Sequence, residues 1–170
     1  MKYLLTILTA LNVITMTAQK TYTTTTDANG TLIFTGFITK EVLAYEPSFV
    51  WFAKNTIGYN PSPNIVTAIK AAADKVQLIV YGGTWCEDTQ NILPKLYTLL
   101  TLAGYNQANL TVIGVDRAKN TYSNLAKAMA ITNVPTIVVM QAGKELGRVV
   151  EYGKTGKWDT ELAELISTAK

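Results

Sequence analysis

Gly82-Gly83-Thr84-Trp85-Cys86-Glu87-Asp88-Thr89 carries the only cysteine of this 170-residue chain and divides two segments of different character. On its N-terminal side, Leu78-Ile79-Val80-Tyr81 is an apolar run of strand length. On its C-terminal side, apolar residues recur at helical spacing from Ile92 to Ala103, and Gly104 supplies a stop. A strand that enters a helix through paired glycines predicts a tight turn with Cys86 near the helix N-terminus. There, free backbone N–H groups and the helix dipole favour a thiolate. Glu87 and Asp88 oppose that effect, because nearby negative charge disfavours ionisation of the thiol. Acids are also favoured in a first helical turn for structure alone, so they leave the balance open. Further along, Val134-Pro135-Thr136 leads into another apolar run, and the two stretches together are the candidate site.

Composition narrows the chemistry. The charged fraction is 16% and the formal net charge +3, with no cluster of Lys and Arg, which argues against a nucleic-acid partner. No histidine is present, so a His-containing zinc site, a Ser/His/Asp triad and a Cys/His dyad are excluded within one chain. A single cysteine forbids an internal disulfide, and any covalent sulfur chemistry must involve another molecule. Neither a cofactor nor a metal is implied.

Residues 1–18 have the layout of a secretory signal peptide: Lys2, an apolar stretch from Tyr3 to Met16, then small residues. An N-terminal strand or helix of the folded domain is the alternative. The first reading predicts an exported protein, periplasmic or extracellular after cleavage, without a membrane anchor. No cysteine follows the apolar stretch to carry a lipid. Residues 19–62 form an N-terminal extension. Its Thr-rich start and Asn29-Gly30 predict either a small β-hairpin or a mobile leader. Ser48 is placed to cap a short helix from Phe49 to Asn55. The aromatic group Tyr45, Phe49, Trp51 and Phe52 reads as packing for a flanking element rather than as a recognition surface, since large apolar side chains are usually buried.

Residues 63–170 form the main domain. Ser62-Pro63 starts a helix running to about Asp74. A strand from Val76 to Tyr81, the thiol turn and the helix to Ala103 follow, and Pro94 should kink that helix. Strands are expected at Leu110–Val115, Pro135–Met140 and Glu145–Tyr152, and helices at Thr121–Ala130 and Trp158–Ala169. Strands separated by helices imply parallel pairing, and the turn before Glu145 adds an antiparallel hairpin. The class is therefore α/β, a three-layer fold with a mixed central sheet of four to five strands and helices on both faces.

Four markers resemble the thioredoxin-like superfamily, and the chain is similar to its secreted bacterial members. They are Trp85-Cys86 opening a helix, Pro94 at the kink position, Val134-Pro135-Thr136 as the cis-proline loop, and Gly143-Lys144-Glu145 before the last strand. Two positions depart from the family. Thr89 stands where the second cysteine of a Cys-x-x-Cys pair is expected, and Val80 stands where the family buries an acid that serves that second cysteine. The two departures agree with each other.

The resemblance implies that Cys86 attacks an external disulfide; Thr89, which cannot resolve the product, has a hydroxyl placed to hydrogen-bond the Cys86 sulfur. It implies that Trp85 shields the thiol, and that Val134 and Pro135 hold an extended partner segment by strand addition. Turnover would be of monothiol type, with protein thiols or disulfides, or a small thiol, as partners. Two other outcomes are compatible with the same residues. One is a redox-inactive binding module on a thioredoxin fold; the other is a homodimer linked through Cys86, in place of a monomer. Gly83 stands where a peroxiredoxin would carry threonine, which disfavours that peroxidase class.

Overall fold

The computed structural model describes residues 21–170, and the expected signal peptide lies outside the described residues. The chain forms β1 (Tyr22–Thr26), β2 (Leu32–Phe37), α1 (Lys40–Tyr45), α2 (Val50–Lys54), α3 (Pro63–Ala71) and β3 (Gln77–Gly82). It continues through α4 (Glu87–Leu102), β4 (Leu110–Gly114), α5 (Leu125–Ala128), β5 (Thr136–Gln141), β6 (Lys144–Val150) and α6 (Trp158–Ile166). The strands make one six-stranded sheet in the order β1-β2-β4-β3-β5-β6.

Side chains alternate between the two faces of this sheet, as strand geometry requires. Leu78, Val80, Val112, Ile137 and Val139 enter a large core with α4 and α6, while Tyr81, Ile113 and Val138 enter a smaller core with Ala126 and Ile131. Leu96, Leu99 and Leu100 of α4 and Leu162 and Ile166 of α6 are fully buried.

The α/β class holds, but the sheet has six strands rather than four to five. The Thr-rich start forms the hairpin alternative, because Asp27 organises its turn: its Oδ1 accepts the amides of Asn29 at 2.9 Å and Thr31 at 3.0 Å. Strand β2 then joins the main sheet, antiparallel to β4, through Gly36↔Gly114 and Phe37↔Ile113.

Strand directions also differ from expectation. Strands β3 and β4 are parallel, but β5 runs antiparallel to β3. The chain leaves β4 at Gly114, level with Gly82, and re-enters at Thr136, level with Tyr81, so it never travels back along the sheet. The one-turn α5, about 6 Å long, cannot return past a strand of about 17 Å. The expected helix from Thr121 to Ala130 shrinks to this turn because Thr121 is held extended: its hydroxyl donates to the Gly114 carbonyl at 2.6 Å and accepts the Gly36 amide at 3.2 Å. Ser123 and Asn124 follow in left-handed conformation, at φ 50° and 58°.

The aromatic group packs inward as expected, in a chain of ring contacts Phe34–Phe49–Trp51–Phe52–Tyr97, although Tyr45 is exposed. Ser48 does not cap α2; its amide is bound by Glu46, and Phe49 occupies the cap position. Ser62 stands at the cap position of α3 with no side-chain bond to the helix, while Pro63 opens it.

Pro94 lies inside α4, where it has no N–H to offer the Gln90 carbonyl one turn earlier. The Asn55 side-chain amide fills that place, donating to Gln90 O at 2.9 Å. The end of α2 is thus joined to α4 at the point where the helix lacks its own bond. Asn55→Leu should lower stability by about 1–2 kcal/mol. In a Pro94→Ala background, which restores a backbone donor, the same change should cost clearly less. Denaturant unfolding of the four proteins of this cycle checks it, and additive costs would refute the replacement.

Candidate active site

The site is a turn held by three side chains. Between β3 and α4, the Cys86 amide donates to Gly83 O at 2.9 Å, and the Gln90 amide donates to Cys86 O at 2.9 Å. Cys86 itself is the N-cap residue of α4. The Gln90 side chain returns to Thr84 O at 2.7 Å. The buried Thr84 hydroxyl donates to Leu32 O at 3.0 Å and accepts the Phe34 amide at 3.2 Å. One hydroxyl thereby satisfies an acceptor and a donor of β2 outside its pairing with β4, and fastens the thiol turn to the N-terminal hairpin.

Both glycines are required by close approach. A Cβ on Gly82 would lie 2.8 Å from the Thr89 methyl, and one on Gly83 would lie 2.6 Å from the Trp85 indole. The turn therefore has room for backbone alone at these positions.

Cys86 is half-buried, and its S–H donates to the Val134 carbonyl at 3.2 Å. The Val134–Pro135 peptide is cis. Val134 is buried in the smaller core, and the Pro135 carbonyl accepts the Glu151 amide at 2.7 Å. The structure thus brings Cys86, Trp85, Val134 and Pro135 into one neighbourhood. Thr89 is close in sequence but turned away from the sulfur: it is buried, and its hydroxyl accepts the Gly83 amide at 3.2 Å. The expected Thr89–sulfur hydrogen bond is replaced by this turn-closing one, because a buried amide must find an acceptor. Val80 is buried in the large core, with no carboxylate in its place.

Trp85 is half-buried beside the thiol. Its indole N–H donates to Val115 O at 2.9 Å, and its ring is covered by the Arg117 guanidinium at 5.0 Å and the Lys119 ammonium at 5.7 Å from the centroid. Arg117 is itself fixed, its Nε and Nη2 donating to Asp27 Oδ2 at 2.9 and 2.7 Å. The Arg117 hydrogen bond, helped by the Thr31 amide, holds the Asp27 carboxyl below the usual carboxylate range. Elsewhere on α4, the Asn91 side-chain amide donates to the Tyr152 hydroxyl at 2.8 Å.

Sequence reasoning missed Arg117, Lys119, Asp27, Thr84, Gln90 and Asn91. Asp116-Arg117-Ala118-Lys119-Asn120 after an apolar strand is a weak signal at best, and nothing local ties Asp27 to a residue ninety positions later.

The family model of thioredoxin matches residues 63–167. This chain belongs to the thioredoxin family. Membership points to thiol–disulfide redox chemistry in general, and the hairpin with α1 and α2 lies ahead of the matched residues. Similar solved structures include an HIV epitope scaffold, at 21% identity over 71% of this chain and 84% of that one, TM-score 0.49. A protein of unknown function from Pseudomonas aeruginosa is 21% identical over 74% of this chain and 80% of that one, TM-score 0.48. Thioredoxin of Fasciola hepatica is 24% identical over 60% of this chain and 88% of that one, TM-score 0.42. No curated protein matches this thioredoxin-family chain.

Two measurements probe the site. Thr89→Val should cost about 1–3 kcal/mol, the penalty for leaving the Gly83 amide buried without an acceptor, whereas Thr89→Ser, which keeps the hydroxyl and loses only a buried methyl, should cost about 1 kcal/mol or less. Unfolding by urea separates the two, and equal losses would remove the hydrogen bond as the reason. The second concerns pH. Because the Asp27 carboxyl is depressed in the folded chain, the pair's contribution is present above the ordinary carboxylate pKa and is lost as pH falls through the folded value. Acidification should therefore shift the Trp85 indole N–H resonance as Arg117 is released, and Asp27→Asn should abolish that titration.

Proposed function

We propose that this thioredoxin-family protein performs monothiol thiol–disulfide exchange through Cys86. The observation that carries the reading is the half-buried sulfur at the N-cap of α4, 3.2 Å from the Val134 carbonyl of the Pro135 loop. The thiol deprotonates to solvent, and the thiolate attacks one sulfur of an external disulfide. The Cys86–partner disulfide forms, the partner's own S–S bond breaks, and the second partner sulfur leaves as a thiolate. Cys86 is oxidised and the leaving sulfur reduced.

Nothing in the chain can then expel the partner, since Cys86 is the single cysteine. Release falls to a small thiol or to a second cysteine of the partner protein. The absence of an acid at Val80 fits this division of labour, because that group serves a resolving thiol in dithiol relatives. Trp85 supplies an apolar wall beside the sulfur. The Val134-Pro135 loop receives the partner segment once the thiol hydrogen leaves the Val134 carbonyl. The layout of residues 1–18 supports export to the periplasm or beyond, where disulfide-bearing partners are available. In this reading the protein works as a monomer, with a Cys86-linked homodimer as the alternative.

Incubation with 2-hydroxyethyl disulfide should add one mercaptoethanol unit at Cys86 by intact mass, reversible by dithiothreitol and absent in Cys86→Ser. A folded wild-type protein that stays unmodified would sink the proposal. Thr89→Cys, which supplies a resolving thiol, should raise reduction of insulin disulfides at least severalfold. Non-reducing electrophoresis showing mainly a Cys86-linked dimer would favour a structural disulfide instead.

A further inference from the structure

The loop after β4 bends back over the thiol site in a defined shape. Asp116 Oδ1 accepts the Asn120 amide at 2.7 Å, and its Oδ2 accepts the Asn120 side chain at 3.2 Å. The Lys119 amide donates to Asp116 O at 3.0 Å, and Lys119 is left-handed at φ 63°. This closed turn places both of its cations on the Trp85 ring, and the Lys119 ammonium also donates to Arg117 O at 3.3 Å. Asp27, from the hairpin that precedes the family's matched residues, clamps the guanidinium from outside.

Such an arrangement is more than a core requires. The Trp85 indole N–H is already satisfied by Val115 O, and Arg117 keeps half of its side chain exposed. A guanidinium over a partly solvated ring contributes only about 0.5–1 kcal/mol, so stability gives it little purpose. Position gives it more: Trp85 is bonded to Cys86, and both pack against the same small core. The cations therefore stand on the Trp85 side of the thiol, while Glu87 and Asp88 follow Cys86 in the first turn of α4.

We propose that Arg117, with Lys119, is a specificity determinant of the Cys86 site that selects disulfides flanked by an acidic peptide segment on the Trp85 side. This rests on the reading of Cys86 as an exchanging thiol. An acid on a bound segment would meet two cations whose positions are set in advance by Asp27 and the Asp116–Asn120 turn, so little ordering is needed on binding. Glu87 and Asp88 contribute a constant background that would repel an acid on the helix side and accept a base there. The site is thus polarised, and it orients a partner as well as choosing it.

At a separation of roughly 10 Å, one unit charge changes an interaction by a factor of about two in water and about fifteenfold at an effective dielectric near 20. The test uses three disulfides on the whole protein: dianionic 5,5′-dithiobis(2-nitrobenzoate), neutral 2-hydroxyethyl disulfide and dicationic cystamine. Second-order rates of Cys86 modification are compared as ratios, which cancels the probes' differing intrinsic reactivity. Arg117→Gln should lower the anionic-to-neutral ratio about two- to fifteenfold and raise the cationic-to-neutral ratio. Asp27→Asn, which removes the neutralising carboxylate, should raise the first ratio. Both effects should shrink in molar salt.

A binding assay with Cys86→Ser and a disulfide-bearing peptide should show weaker capture of the Asp-flanked form on Arg117→Gln, and tighter capture of the Lys-flanked form. Ratios that do not move with Arg117→Gln would overturn the selectivity while leaving the thiol chemistry intact. A Cys86 that is inert to all three probes would overturn both.

Discussion

The Gly83 amide donates to the Thr89 hydroxyl, and the shape of the thiol turn follows from that bond. A strand that stops and a helix that starts within a few residues leave buried amides without strand or helix partners. Here one is taken by Thr89, a carbonyl is taken by Gln90, and the Thr84 hydroxyl carries the turn across to β2. With those contacts in place, Gly82 and Gly83 pass so close to Thr89 and Trp85 that a methyl group would not fit. Cys86 is left at the N-cap of α4, its sulfur meeting the Val134 carbonyl. The position of the thiol is thus a consequence of backbone satisfaction, and its chemistry is a consequence of its position.

The segment ahead of the family's matched residues is built into this arrangement. It contributes Asn55 to the helix bond that Pro94 cannot make, the backbone of Leu32 and Phe34 to Thr84, and Asp27 to Arg117. Each contact meets α4, the thiol turn or the loop beside Trp85, so the extension acts on the same end of the sheet as the site. Its aromatic chain from Phe34 to Tyr97 supplies the apolar contact that keeps it there. A leader that merely trailed from the fold would do none of these things.

Loss of the second cysteine and of the buried acid is coherent in the structure. Thr89, at the resolving position, spends its hydroxyl on the turn, and Val80 adds to the large core where a carboxylate would need a partner. Both replacements suit a site with a single sulfur. Beside that sulfur, Trp85 lies under two cations, and α4 begins with two carboxylates.

Much of the fold could be seen in the residue order alone. Apolar runs of strand length and flanking glycines marked the strands, and Cys86 at a strand-to-helix junction was visible because both signals are local. Pro94 in a helix and Pro135 ahead of a strand were visible for the same reason. Strand direction was not, since it depends on where the connection re-enters the sheet, and the one-turn α5 came only from Thr121 bonding to Gly114 and Gly36. The hairpin was one of two open alternatives until Asp27 closed its turn and Gly36 met Gly114. The partner of Thr89 and the Asp27–Arg117–Trp85 stack were equally hidden. Residue order determined the elements and the chemical identity of the site, because those depend on neighbours within a turn or a strand. Tertiary structure alone decided what each polar group bonds to and which charges face the sulfur, because those pairings join residues far apart in the chain through space that only the finished fold creates.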